Sequence, residues 1–322
     1  MANIFRNRQH FLSFHIKEFY SYILVIGLYL TIALSILIIY LAEYNNLPFP
    51  FAFKTFSFVL IGWSQYSLGN AMHEAVHFNF LNKKKDFLAS VITAYPIGFN
   101  LNYRDFHFKH HKYVGTKDDP EYEVYRNFPK SKLQFLGRLI WCGSGLPAIF
   151  QFIRMQLKND KTQHKVLQPR RINVILDIFM LLIIQTFIAS IFYFIFKNPF
   201  FYLFFWLMPI ATIGKLLSST RLLCEHGSPT KGWVIRTING SRIYNYLLGA
   251  FDFNYHGEHH LYPTIPHSQL KRLHKTHVNY IKNSKKNYNP LNGKFEIFEG
   301  SYLELIIIWF KELPMLVKSP KK

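Results

Sequence analysis

Cysteine is nearly absent from this chain, which has only Cys142 and Cys224 among its 322 residues. Two thiols are too few to hold an iron–sulfur cluster, which commonly takes four cysteine ligands. Both cysteines also fall in segments that the charge pattern below places on one side of a membrane, the cytoplasmic side. We therefore expect no disulfide framework.

Acidic residues are also few, with 18 Asp and Glu against 38 Lys and Arg and a formal net charge of +20. Attraction to anionic lipid headgroups explains such an excess of positive charge. The same charge would attract an acidic redox partner, but we favour the lipid explanation. No nucleic-acid partner is expected.

Apolar residues, by contrast, make up 50% of the chain, and aromatic residues make up 18%. Four apolar stretches are about as long as a bilayer crossing requires. They form two predicted hairpins, the first from about 21–42 and 51–69 and the second from about 173–196 and 199–217.

The basic residues predict the orientation of these spans. Residues 1–20, 70–172 and 218–322 contain 35 of the 38 Lys and Arg, and positive loops normally face the cytoplasm. Both termini and the long middle segment are therefore predicted to be cytoplasmic. The predicted architecture is an all-α integral membrane protein, a single domain of residues 1–322. It has four transmembrane helices and a cytoplasmic helical cap formed by 70–172 and 218–322.

Nine of the fifteen histidines occupy four places on this predicted cytoplasmic side. They are His73 and His77 in "HEAVH", His107, His110 and His111 in "HFKHH", His226 in "CEHG", and His256, His259 and His260 in "HGEHH". Side chains at i, i+3 and i+4 share one helix face, so each group can direct two or three imidazoles at a common point. Clustering so many neutral imidazoles indicates a bound cation. Nine ligands exceed the three or four that one zinc takes and match two metals, although imidazole binds iron, zinc and copper alike. The cytoplasmic helical cap is therefore predicted to hold a two-metal site.

The motif His73-Glu74-x-x-His77 by itself is also typical of a zinc protease with Glu74 as general base. An intramembrane protease of that kind would need a further Asp ligand, typically in an Asp-Gly pair, and no Asp-Gly occurs in the chain. It would also leave seven histidines unexplained, so it is a remote alternative. A b-type haem carrier would place histidines within the spans, and no predicted span contains one.

Several residues near the histidines have predicted supporting roles. Glu74, Glu225 and Glu258 are candidates to orient ligand imidazoles by accepting an N–H, with solvent exposure as the competing interpretation. Asp118 and Asp119 either do the same or bracket a turn. In "PHSQLKRLHKTH", the first histidine is predicted to begin a helix, and the other two are predicted to lie on its solvated face; they are His267, His274 and His277.

The three boxes "HEAVH", "HFKHH" and "HGEHH" resemble those of the membrane fatty acid desaturase and hydroxylase family. The segments "YRDFHFKHHKYVGTKDDPEYE" and "NYHGEHHLYPTIPHSQL" resemble the surroundings of that family's second and third boxes, and "CEHG" resembles its additional histidine. The similarity covers about residues 20–275. It implies a four-span, non-haem di-iron enzyme whose nine histidines hold the metals, with no catalytic residue beyond these ligands.

The resemblance also implies an activity and its requirements. The expected enzyme is an O2-dependent fatty acyl (lipid) desaturase, with two Fe2+ ions as cofactor and O2 as co-substrate. The alternative is a hydroxylase or ketolase of the same family acting on a lipid, a carotenoid or a small amine. The His-Pro-Gly-Gly segment typical of a fused cytochrome b5 does not occur, so a separate electron donor is expected, either ferredoxin or cytochrome b5 with its reductase. The Lys, Asn, Ile and Phe bias favours a bacterial inner membrane as the location, and the oligomeric state is not predicted.

Overall fold

The computed structural model of the chain describes residues 8–15, 19–45, 47–79, 83–157, 174–283 and 293–316. These residues are mostly helical. The helices are α1 (Arg8–Leu12), α2 (Tyr20–Tyr44), α3 (Pro50–Val76), α4 (Lys83–Ala94), α5 (Tyr103–Tyr113), α6 (Tyr122–Tyr125), α7 (Lys132–Gly143), α8 (Leu146–Leu157), α9 (Val174–Phe196), α10 (Phe200–His226), α11 (Arg242–Leu248), α12 (His256–Leu261), α13 (His267–Asn283) and α14 (Tyr302–Glu312).

Three helices, α2, α9 and α10, are long and apolar enough to cross a membrane. They include the first, third and fourth predicted spans, and they support an integral membrane protein. The last of them continues beyond the predicted boundary at residue 217 and ends at His226. The two termini of the chain lie outside the described residues, so their cytoplasmic placement stays a prediction.

The second predicted span, about 51–69, lies within α3, a helix of 27 residues. This helix has the length to cross a bilayer, but it is not among the three candidates because it is more polar. Its buried polar residues include Ser57, Ser64, Gln65, Ser67 and Asn70. The fourth crossing therefore stays a prediction.

Close contact between α3 and α10 positions the ends of both helices that carry clustered histidines. A Cβ added at Gly62 would lie 2.7 Å from Ile213 Cβ and 2.8 Å from the Pro209 carbonyl oxygen. Small residues allow helix backbones to approach this closely in membranes. The central apolar core around this contact includes Ile61, Leu68 and Trp206.

Helix α10 widens into π-helical turns at Leu203–Leu207 and Ile210–Gly214, on either side of Pro209. A π-helical turn or a proline leaves some backbone carbonyls without their usual N–H donor. Inside a membrane these carbonyls need another donor. Gln65 Nε2 of α3 donates to the Trp206 carbonyl at 2.9 Å. The polar face of α3 thus stabilises the irregular part of α10.

The region that follows α10 is not purely helical, so the all-α prediction was wrong in this detail. Strands β1 (Gly227–Ser228) and β2 (Gly232–Trp233) pair antiparallel, whereas β3 (Ile235–Ile238) and β4 (Phe295–Phe298) pair in parallel, with Ile235 opposite Phe295. All four residues of β3 are buried. The parallel pair fixes the segment after residue 292 beside the helices that carry the histidines.

Candidate metal centre

Five histidines from three helices converge on one point. They are His73 and His77 at the end of α3, His107 and His111 of α5, and His259 of α12, and their ligand atoms all lie within 4.8 Å of one another. The Nε2 atom of His107 lies 2.8 Å from His77 Nε2 and 2.9 Å from His111 Nε2. The Nε2 atoms of His111 and His259 are 3.0 Å apart.

A second group contains four histidines: His110 of α5, His226 at the end of α10, and His256 and His260 of α12. The Nε2 atoms of His226 and His256 are 2.8 Å apart. The two groups are neighbours, because the His111 and His260 rings lie 4.3 Å apart, centroid to centroid. The structure thus brings together all nine histidines that the sequence singled out.

The geometry of both groups fits a metal ion better than it fits hydrogen bonding among the rings. A neutral Nε2 either donates one proton or offers one lone pair, so the Nε2 atom of His107 cannot pair properly with two others. Ligand nitrogens bound about 2 Å from one ion lie about 3 Å apart at adjacent positions, which matches the distances above. Among the described residues, the buried Nε2 atoms of His73, His110 and His260 have no hydrogen-bond partner.

Electrostatics favour the neutral imidazole that a metal requires. Burial lowers the pKa of His107, His111, His256, His259 and His260 well below its ordinary range, and nearby imidazoles lower it further. His110 differs: burial lowers its pKa, but Glu121 and Asp119 outweigh this effect and raise it overall.

Oxygen atoms hold the outward nitrogens of two members of the four-histidine group. His110 Nδ1 lies 2.9 Å from Asp119 Oδ1, and this carboxylate also accepts from the Glu121 backbone N–H and the Tyr125 hydroxyl. His226 Nδ1 lies 3.1 Å from the Val234 carbonyl oxygen. Such partners fix the ring and its tautomer. Of the two aspartates considered, Asp119 is buried against the site and Asp118 is exposed.

The three glutamates named from the sequence take different positions. Glu74 Oε1 lies 3.5 Å from His73 Nδ1, while Glu74 Oε2 accepts from the His267 backbone N–H at 3.1 Å. Glu225 Oε2 lies 3.6 Å from His256 Nδ1. Both carboxylates therefore lie beside candidate ligands.

Glu258 points away from the histidine groups and towards α13, so the structure does not support its predicted role beside a ligand. Its Oε1 lies 2.8 Å from His274 Nδ1 and 3.3 Å from His277 Nδ1, and Oε2 accepts from the Thr237 hydroxyl. Burial raises the pKa of Glu258, but the hydrogen bonds from these two histidines outweigh it and hold the pKa at about 2. The prediction that His274 and His277 are solvated was wrong, since both are buried. His267 begins α13, as predicted.

The geometry also bears on the zinc-protease alternative. That alternative uses only His73 and His77 of the five-histidine group. The structure adds His107, His111 and His259 to the same point, which leaves no reason to assign the first two to a separate mononuclear site.

Sequence reasoning missed a buried polar network beside the four-histidine group. Arg221 Nη1 donates to Asn70 Oδ1 at 2.6 Å, and Tyr302 donates its hydroxyl to Glu225 Oε1 at 2.7 Å. The Arg221 guanidinium also lies over the Phe253 ring, 4.4 Å from its centroid. One signal was available for Arg221, because an arginine near the end of an apolar span usually has a buried partner or a function.

Comparisons with known proteins agree with this geometry. The family profile described as fatty acid desaturase matches residues 50–292. The sphingolipid delta(4)-desaturase DES1 of Drosophila melanogaster is 27% identical over 221 residues, which are 66% of this chain and 62% of the relative. The protein of the same name from Xenopus tropicalis is 25% identical over 232 residues, covering 70% of this chain and 64% of that relative. The chain thus spans less than two thirds of the length of these relatives. Because the profile match covers most of the chain and includes all nine clustered histidines, the chain belongs to the fatty acid desaturase family.

Proposed function

We propose that this protein is an O2-dependent membrane-bound fatty acyl (lipid) desaturase with two iron ions at its histidine groups. The supporting observation is the pair of adjacent, largely buried groups, five and four imidazoles, in a member of the desaturase family with three helices long and apolar enough to cross a membrane. The names of the two relatives, sphingolipid desaturases, support a lipid as the substrate.

The residues present would hold the two ions as follows. One ion would be bound by the five-histidine group and the other by the four-histidine group. Two ferrous ions bound there supply the O2 activation needed to remove hydrogens from an unactivated methylene pair. No further catalytic side chain is assigned.

The protein's own contribution is to orient the ligands and exclude water. Asp119 and the Val234 carbonyl hold the outward nitrogens of His110 and His226. Phe253 packs edge-on against His73 at a centroid distance of 4.4 Å, and Phe108 packs against His77 at 5.1 Å. Apolar groups around a metal limit solvent access and lower the local dielectric.

The histidine groups face the cytoplasm at the ends of α3 and α10, and the chain forms one domain in a bacterial inner membrane. An acyl chain enters from the bilayer. Electrons come from a separate ferredoxin or cytochrome b5 with its reductase, which the positively charged cytoplasmic surface attracts.

Expression in a bacterial host, followed by lipid extraction and mass spectrometry, tests this function. We expect a lipid that has lost two hydrogens, formed only in the presence of O2. The variants His110→Ala and His259→Ala should remain in the membrane and form no product. A lipid that gains one oxygen would replace the desaturase by a hydroxylase. No change in any lipid, or product formation by either variant, would contradict the proposal.

A further inference from the structure

The C-terminal segment 293–316 lies beyond the part of the chain that the family profile matches, which ends at residue 292. It nevertheless reaches the candidate metal centre. Strand β4 pairs in parallel with β3, and Ser301 caps α14 through a capping box with Glu304. These contacts place Tyr302, the first residue of α14, in a fully buried position.

From this position Tyr302 contacts the residue next to a candidate ligand. Its hydroxyl donates to Glu225 Oε1 at 2.7 Å, and Glu225 directly precedes His226 in α10. Its backbone N–H donates to Asn245 Oδ1 at 3.3 Å. A Cβ at Gly249 would lie 3.1 Å from Tyr302 Cε2, so the ring is closely packed as well as hydrogen-bonded.

The other oxygen of Glu225 faces a candidate ligand. Glu225 Oε2 lies 3.6 Å from His256 Nδ1, and among the described residues neither atom has a hydrogen-bond partner, although both are buried. His256 directs its Nε2 atom at the four-histidine group. A small movement of either side chain would close a hydrogen bond from Nδ1–H to Glu225.

The pattern within the four-histidine group supports this pairing. The outward nitrogens of His110 and His226 already face oxygen atoms, those of Asp119 and of the Val234 carbonyl. Metal-bound histidines usually place their second nitrogen against a carboxylate or carbonyl oxygen. Glu225 provides the corresponding oxygen for His256.

Arg221 restricts Glu225 from a second side. Its Nε atom lies 3.3 Å from Glu225 Oε2, and its Nη1 atom donates to Asn70 of α3, three residues before His73. Glu225 of α10 is therefore held by Tyr302 of α14 on one side. On the other side it is held by Arg221, which links it to α3, the helix that carries part of the five-histidine group.

We propose that Tyr302 is a positioning residue of the second metal site: it orients Glu225, which in turn fixes the ring of His256, and so the C-terminal segment completes that site. This inference rests on the proposed two-metal function. It assigns a role to a residue outside the matched family region.

Anaerobic titration of metal-free, full-length protein with Fe2+ by equilibrium dialysis tests the inference. In Tyr302→Phe, which loses only the hydroxyl, we expect one of two Fe2+ equivalents to bind about 10-fold more weakly, the low end of the 10- to 100-fold typical for partners of ligands. The other equivalent should bind as in the wild type. The variant His226→Ala identifies which equivalent belongs to the four-histidine group.

Two further variants separate positioning from a general structural effect. Tyr29→Phe removes a hydroxyl of α2 that donates to the Ile92 carbonyl of α4, and neither helix carries any of the nine histidines. Both of its Fe2+ equivalents should bind normally. Glu225→Gln should weaken the same equivalent as Tyr302→Phe, and the double variant should bind no more weakly than Glu225→Gln alone, because Tyr302 acts through Glu225.

The outcomes distinguish this inference from the function on which it rests. Two wild-type Fe2+ equivalents, with both unchanged in Tyr302→Phe, would overturn the positioning role alone. Additive losses in the double variant, or equal weakening of both equivalents, would also overturn it in favour of a structural role. Failure of the wild-type protein to bind a second Fe2+ would instead contradict the proposed function.

Discussion

Helical spacing divides neighbouring histidines between the two candidate metal sites. In α5, His107 and His111 belong to one group and His110 to the other, and in α12, His259 is separated in the same way from His256 and His260. Residues four apart lie on one helix face, whereas the adjacent residue points about 100° away. Replacing one side chain therefore tests one site, while a shift of either helix disturbs both.

The neighbouring aspartates Asp118 and Asp119 provide a matched pair for the four-histidine site. Asp119→Ala removes the carboxylate that faces His110 Nδ1 at 2.9 Å, and loss of such a partner typically costs about 10- to 100-fold in metal affinity or activity. We expect that loss in Fe2+ affinity, measured by dialysis. Asp118→Ala alters an exposed residue and should bind Fe2+ normally. Equal affinities for the two variants would contradict the role given to Asp119.

Glu258 should affect stability, because it joins α12 to α13. Glu258→Gln removes the charge that His274 and His277 face inside the protein, and a hydrogen bond to a charged group contributes about 1.5–3 kcal/mol. We expect a lower thermal unfolding temperature in detergent. Glu123→Gln, which alters an exposed ion pair with Arg126, is the control and should unfold within a degree or so of the wild type. An unchanged unfolding temperature in Glu258→Gln would show that this contact is not stabilising.

The sequence predicted the nine candidate ligand residues, but it did not predict all of the side chains that surround them. Eight of the nine histidines stand at helical spacings, and spacing is a local property, whereas His226 stands alone in the sequence. The partners of Glu258 depend on how α13 packs against α12, which no local pattern contains. A signal did exist: His274 and His277 share a helix face with the buried Leu270 and Leu273, as expected of an amphipathic helix.

Among the helices, α3 combines membrane-crossing length with a polar, buried face. Hydropathy predicted a span at 51–69, but some of the residues that make this helix polar form hydrogen bonds to other helices. Gln65, for example, bonds to the π-helical part of α10. The short strands were not predicted, because two to four residues give no detectable alternation and β3 pairs with a strand more than fifty residues away.

Two glycines in helices test the contact between α3 and α10. Gly62→Ala places a Cβ within 2.7 Å of Ile213 Cβ, and overpacking of this kind costs about 1–3 kcal/mol. Gly27→Ala in α2 meets no atom within 4 Å and should be neutral or stabilising by up to about 1 kcal/mol. Thermal unfolding in detergent should therefore separate the two variants. Similar unfolding temperatures would indicate that the close approach of α3 and α10 is not required.

For the whole molecule, the proposed four-span arrangement predicts which surfaces face each side of the membrane. The turn after α2 should be outside the cytoplasm, and the loop before α7 should be inside. Asn45→Cys and Asn127→Cys introduce thiols at exposed positions in these two places, whereas the native Cys142 and Cys224 are buried.

A membrane-impermeant maleimide applied to intact cells should label Asn45→Cys and not Asn127→Cys. Permeabilised cells should allow labelling of both, and the wild-type protein serves as the background. Labelling of Asn127→Cys in intact cells would contradict the predicted orientation. Protection of Asn45→Cys in intact cells would contradict a crossing by α2 in the proposed direction.

The central claim is that nine histidines from four separate parts of the chain bind two metal ions. Elemental analysis of purified protein, expressed with iron available, tests it most directly. The claim predicts about two irons per chain, falling to about one in His226→Ala as the four-histidine site is lost. A single tightly held zinc in the wild-type protein, or no more than one iron, would contradict it.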